Sequence, residues 1–142
     1  MIGRRALIGG GLMLLWSPVV FARSPLIREV YGDRDITEDL VSLKLPALAE
    51  NGNSVSFTVE VDSPLTDFDF CHSVRIFAPE NPVPEVGNFT FSPASGRARV
   101  ATRIRLSDTQ TITAVAEMND GSLFAGSAET IVTLAACIEP LI

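Results

Sequence analysis

The chain has 142 residues, a length that favours a single domain. At 46% hydrophobic and 20% charged, the composition allows a packed hydrophobic core. Its formal charge of −6 at pH 7 argues against nucleic acid or an anionic membrane surface as a partner.

Residues 1–22 read as an export signal. Arg4-Arg5 form a basic start, Ala6 to Trp16 an apolar run, and Val20-Phe21-Ala22 offers a cleavage point after Ala22. The run is short for a membrane span and no second one follows, so no span is expected after cleavage. The arginine pair allows the twin-arginine route and a periplasmic destination. Cleavage removes Arg4 and Arg5, which takes the formal charge from −6 to −8.

Residues 23–40 form an N-terminal helix and linker. Leu26, Ile27, Val30 and Tyr31 have helical spacing, Gly32 ends the helix, and Asp33 to Asp39 is a charged loop. From residue 41 the period becomes two. Ser42 to Leu45 and Ser54 to Asp62 read as partner strands, with Val55, Phe57, Val59 and Val61 on one face. Asn51-Gly52 between them is a turn signal, since both residues tolerate positive φ. Ser73 to Ala78 is the next strand. The prolines at 79, 82 and 84 then forbid regular pairing. Val86 to Phe91, Arg97 to Leu106, Gln110 to Met118 and Leu123 to Leu134 complete the set, with turns at Pro93 to Gly96 and at Asn119-Asp120-Gly121. About seven short strands separated by turns predict an all-β, immunoglobulin-like antiparallel β-sandwich over residues 41–134, followed by a tail at 135–142.

The chemistry-bearing residues are few. Cys137 stands in the tail, where a thiol can reach outside its own domain. Glu139 beside it disfavours the thiolate, so any activation would come from a partner. Cys71, in Phe68-Asp69-Phe70-Cys71-His72, is the other cysteine. It reads either as a buried free thiol or as a disulfide partner of Cys137. His72 is the single histidine, too little for a metal site, and it has no evident cysteine-protease-like set around it. Arg97, Arg99, Arg103 and Arg105 share one face of a strand. That face is either solvated and balanced by carboxylates on the next strand, or a docking surface for an acidic partner. No phosphate loop, catalytic triad or carboxylate pair stands out. No cofactor and no metal are therefore expected of this chain.

Several segments together resemble the SoxY family, the sulfur-carrier subunits of the bacterial thiosulfate-oxidising system. They are Leu45-Pro46-Ala47-Leu48-Ala49-Glu50-Asn51-Gly52-Asn53, Val61-Asp62-Ser63-Pro64, Ile76-Phe77-Ala78-Pro79-Glu80-Asn81-Pro82, Thr102-Arg103-Ile104-Arg105-Leu106 and Ala114-Val115-Ala116-Glu117-Met118 before Asp120-Gly121. The resemblance covers nearly all of the chain after the signal. It implies an immunoglobulin-like fold, twin-arginine export, and a heterodimer with a SoxZ-like subunit. It also implies a carrier that is not itself an enzyme, with Cys137 as the covalent attachment point for sulfur. A haem-containing partner would join thiosulfate to that thiol, a manganese hydrolase would release sulfate, and in some organisms a sulfur dehydrogenase would oxidise what remains. The tail departs from the family's Gly-Gly-Cys-Gly-Gly ending. Ala135-Ala136 precede the cysteine, and Ile138-Glu139-Pro140-Leu141-Ile142 follow it. The alternative reading is an immunoglobulin-like adaptor without carriage, in which Cys137 is buried or bonded to Cys71.

Overall fold

Period-two alternation places Val55, Phe57, Val59 and Val61 on one face of one strand, and all four are buried. They form the inner face of a three-stranded sheet that packs on a larger one. The structure, a computed structural model, describes residues 24–133. One short helix, α1 (Pro25–Tyr31), precedes nine strands. They are β1 (Ile36–Thr37), β2 (Val41–Lys44), β3 (Leu48–Ala49), β4 (Val55–Val61), β5 (Cys71–Phe77), β6 (Glu85–Thr90), β7 (Arg99–Ile104), β8 (Gln110–Met118) and β9 (Leu123–Val132). A single 3-10 turn, Pro93–Ser95, lies between β6 and β7. The molecule is therefore mostly β.

The larger sheet runs β1-β9-β8-β5-β6, with β3 also paired to β9, and the smaller runs β2-β4-β7. Between them lies the main core. The β4 valines and Phe57 meet Cys71, Val74 and Ile76 of β5 and Ile112, Ala114 and Ala116 of β8. The opposite face of the larger sheet is covered by α1. There Ile27 and Tyr31 pack on Phe77, Val115, Leu123 and Ala125. This two-sided cover explains why β8 is buried almost without alternation. Where β2 crosses β9 the sheets approach closely. A Cβ built on Gly126 would stand 2.4 Å from the carbonyl oxygen of Val41, so only glycine fits there.

The helix forms where the spacing places it. Ser24 caps it by accepting from the Ile27 amide, Pro25 opens it, and Gly32 at φ 65° ends it. Two expectations are corrected. The sheets are not wholly antiparallel, because β1 and β3 both pair with β9 in parallel. Each is two residues long and so carries no periodicity to read. Part of the charged stretch after Gly32 is also not a loop, since Ile36 pairs with Leu123 and packs against the α1 cluster. The turn at Asn51-Gly52 forms without positive φ at either residue. Instead the Asn51 side chain accepts from the Asn53 amide at 3.0 Å, and the Gly52 carbonyl accepts from the Leu106 amide at 2.8 Å.

Candidate functional site

Cys71 opens β5 and points into the main core, 0% exposed and free. Its amide donates to Ser63 Oγ at 3.0 Å and its thiol donates to the Ser73 carbonyl at 3.6 Å. Burial pushes the thiol up to about 11, with the Ser73 contact acting the other way. A thiol held neutral and closed off from solvent is a poor nucleophile. The register against β8 shifts between Cys71 and Ser73, and His72 in that bulge is exposed. Among the described residues no three His, Cys, Asp or Glu side chains group as a metal site would require. No helix among them is long and apolar enough to cross a membrane.

The four arginines all face outward, although Arg97 and Arg105 flank β7 and do not belong to it. They divide by partner. Glu60 on neighbouring β4 takes Arg97 at 2.8 Å and Arg99 at 3.7 Å. Arg103 donates to Ser54 Oγ at 3.3 Å. Among the described residues no carboxylate lies within 4.0 Å of Arg103 or Arg105. Half of the stripe is thus balanced by a facing carboxylate, and half is open to an acidic group.

Cys137 lies outside the described residues; the strand that leads to it does not. The end of β9 is held on both sides. On one side it runs parallel to β3, with the Ile131 amide donating to the Ala47 carbonyl at 3.0 Å and the Thr133 amide to the Ala49 carbonyl at 3.1 Å. On the other, the Val132 amide donates to Thr109 Oγ1 at 2.9 Å. Thr130 is fully buried, and its hydroxyl donates to the Pro46 carbonyl at 2.6 Å. The last described residues of β9 are therefore held in place.

Reading the sequence missed the polar hub beside that point. Asn81, within the proline-rich connection, donates to the Arg105 carbonyl at 2.7 Å. Its Oδ1 accepts from the Ser107 amide and from Gln110 Nε2, each at 3.0 Å. Gln110 in turn accepts from the Glu80 amide at 3.0 Å. An asparagine among prolines signals only an irregular loop. Its cross-connections to β7 and β8 carry no sequence signature.

The family model described as "Sulfur oxidation protein SoxY" matches residues 27–137. The sulfur carrier protein SoxY from Chlorobium limicola f thiosulfatophilum matches with a TM-score of 0.63 at 29% identity, over 75% of this chain and 88% of that one. A superoxide reductase (neelaredoxin) from Ignicoccus hospitalis matches with a TM-score of 0.58 at 15% identity, over 66% of this chain and 80% of that one. A putative superoxide reductase from Thermotoga maritima matches with a TM-score of 0.57 at 20% identity, over 71% and 95%. At those identities the two reductases share the fold and no more. No curated protein matches the chain.

Proposed function

Since its family model matches residues 27–137, the chain belongs to the SoxY family of sulfur oxidation proteins, and from that premise we propose that it is a sulfur carrier whose attachment point is Cys137. The observation that carries this reading is the extent of the match, which runs through to residue 137 and so includes the tail cysteine. Two features of the fold support it. Cys71 is sealed in the core, which leaves Cys137 as the thiol free for chemistry. The end of β9 is clamped, which gives the tail a fixed root.

In this reading the body is an immunoglobulin-like sandwich that catalyses nothing. Residues 1–22 direct it by the twin-arginine route to the periplasm, and it works as a heterodimer with a SoxZ-like subunit. Joining thiosulfate to the Cys137 thiol forms one sulfur–sulfur bond and releases a proton and two electrons, which a haem-containing partner accepts. Water then cleaves the terminal sulfonate as sulfate on a manganese hydrolase, leaving a sulfane sulfur on Cys137. In some settings a sulfur dehydrogenase oxidises that sulfur. The chain's own part is to hold the cargo covalently and present it. With Arg97 and Arg99 engaged by Glu60, Arg103 and Arg105 are the pair left to dock an acidic segment.

The test is intact-mass analysis of protein taken from thiosulfate-grown cells without reductant. Adducts in sulfur or sulfonate increments are expected on the wild type and absent from Cys137→Ser. Protein without adducts under turnover would sink the carrier reading. A Cys71–Cys137 peptide as the resting form in a non-reducing map would favour the adaptor instead.

A further inference from the structure

The two strands β6 and β7 are edges of their respective sheets. Between the start of β6, the end of β7 and the connection before β6 lies a groove of about 460 Å³. Pro82, Val83, Val86 and Ile104 supply an apolar lining, and Arg103 and Arg105 supply positive charge. Val83 is 70% exposed and so adds open apolar surface to the groove. Glu85, the carboxylate in the lining, is paired with Arg75 at 3.9 Å. The groove therefore presents apolar surface and two cations without an acidic partner among the described residues.

Residues 138–142 are the complement of that lining: Ile138, Pro140, Leu141 and Ile142 around a single acid, Glu139. They are also within reach. The groove and the end of β9 lie at the same end of the larger sheet. Gln110 at the start of β8 pairs with Thr130, Thr113 with Phe77 at the end of β5, and Phe77 with Glu85 at the start of β6. From β9 to β6 is three strand spacings, ~14 Å. Glu139 is the sixth residue after Thr133 and can extend ~20 Å. A polar bridge already runs part of the way, from Val132 to Thr109 and from Gln110 to Asn81 on the groove's rim.

We propose that residues 138–142 dock in this groove with Glu139 against Arg103 and Arg105, parking Cys137 across the end of the larger sheet when no partner enzyme holds it. The proposal rests on the carrier reading for its purpose, but not for its test. A docked tail shields the thiol and its cargo from solvent reagents. Release then follows when a partner competes for the tail or for the two arginines.

The experiment compares alkylation rates of Cys137 in the full chain with a small neutral reagent. Arg103→Glu with Arg105→Glu is distant in sequence from the thiol and leaves the tail's own residues unchanged. That double variant should label about threefold faster or more, as loss of two partly exposed ion pairs implies. Raising the salt concentration should speed the wild type similarly. Adding Glu139→Lys to the double variant should restore slow labelling relative to Glu139→Lys alone, which carries the same change beside the thiol. Equal rates in the wild type and the double variant, or no restoration by the charge swap, would overturn the proposal. So would a double variant that loses association with a second subunit while labelling at the wild-type rate, since the groove would then belong to that partner. Adduct mass on Cys137 reports the carrier reading separately. Slow labelling with no adduct would leave docking standing and remove carriage.

Discussion

The division between a sealed and a reachable thiol can be tested quantitatively. In the folded protein, burial holds Cys71 neutral up to about 11. An ordinary cysteine ionises near about 8.5. At pH 7 the thiolate fraction of Cys71 is therefore ~300-fold below that of an ordinary thiol. The greater nucleophilicity of the more basic thiolate recovers ~10-fold of this, leaving a deficit of ~30-fold from ionisation alone. Occlusion slows it more. The side chain is 0% exposed, so a reagent must wait for an opening of the core. An opening that costs even ~5 kcal/mol sets a factor of ~10³. An opened core also restores an ordinary pKa, so the two factors do not multiply, and Cys137 should react at least ~10³-fold faster than Cys71. The assay is native alkylation followed by peptide mapping, with a denatured sample to count both thiols. One fast equivalent is expected, abolished in Cys137→Ser, with Cys71 labelled only on unfolding. Labelling of Cys71 within ~100-fold of Cys137 would refute the argument. So would protein in which neither thiol reacts until a reductant is added.

Three further outcomes follow from the packing. Tyr31 has a buried hydroxyl without a hydrogen-bond partner among the described residues, while its ring meets Phe77 edge-on at 6.4 Å and lies 5.9 Å from the Arg75 guanidinium. Tyr31→Phe keeps the ring contacts and should stabilise the fold by up to ~1–2 kcal/mol in urea titration, whereas a loss above ~1 kcal/mol would contradict the reading. Burial also raises Tyr31 to about 12 and Cys71 to about 11, so the unfolded chain ionises first and binds fewer protons. Stability should accordingly hold below pH 9 and fall as pH rises through 11 and then 12, by at most ~3 kcal/mol per group, and Tyr31→Phe with Cys71→Ala should flatten that fall. Gly126→Ala must push β2 off β9 at Val41 and should cost ~1–3 kcal/mol in thermal or denaturant melts, with an unchanged midpoint ruling out the close approach.

The long elements were legible because each had a strong local signal. The alternation of Val55, Phe57, Val59 and Val61 marks β4, and Ser24, Pro25 and Gly32 bracket α1. What stayed hidden depends on distant parts of the chain. Strands β1 and β3 exist because β9 offers an edge to Ile36 and Leu48, and two residues show no period. Two-sided burial of β8 is visible only once α1 is seen to cross the larger sheet. At the site, the outward phase of the arginine stripe was readable by counting in twos. Its division was not, because Glu60 reaches Arg97 and Arg99 through the register of β4 on β7. Cys71 was open to two readings in sequence. The structure makes it a buried free thiol, while its possible partner Cys137 lies outside the described residues.

The two parallel strands connect these observations. β1 pairs with the first residues of β9 and β3 with the last, so each end of that outer edge is already occupied. An edge covered in this way is a poor template for another chain. Among the described residues, the unpaired edges longer than two residues belong to β6, β7 and β2, and to the middle of β9. A strand-pairing partner would therefore approach on the side away from β9 or along β2. At β7 it would meet Arg103 and Arg105. Meanwhile β3 and Thr109 hold the last residues of β9 from opposite sides, which fixes where the tail begins. Ile138 and Pro140 then restrict the backbone beyond Cys137, where glycine would have freed it. Under the proposed carrier reading, a tail without those glycines would depend less on random reach and more on a surface that holds or releases it, which is the role proposed for Arg103 and Arg105.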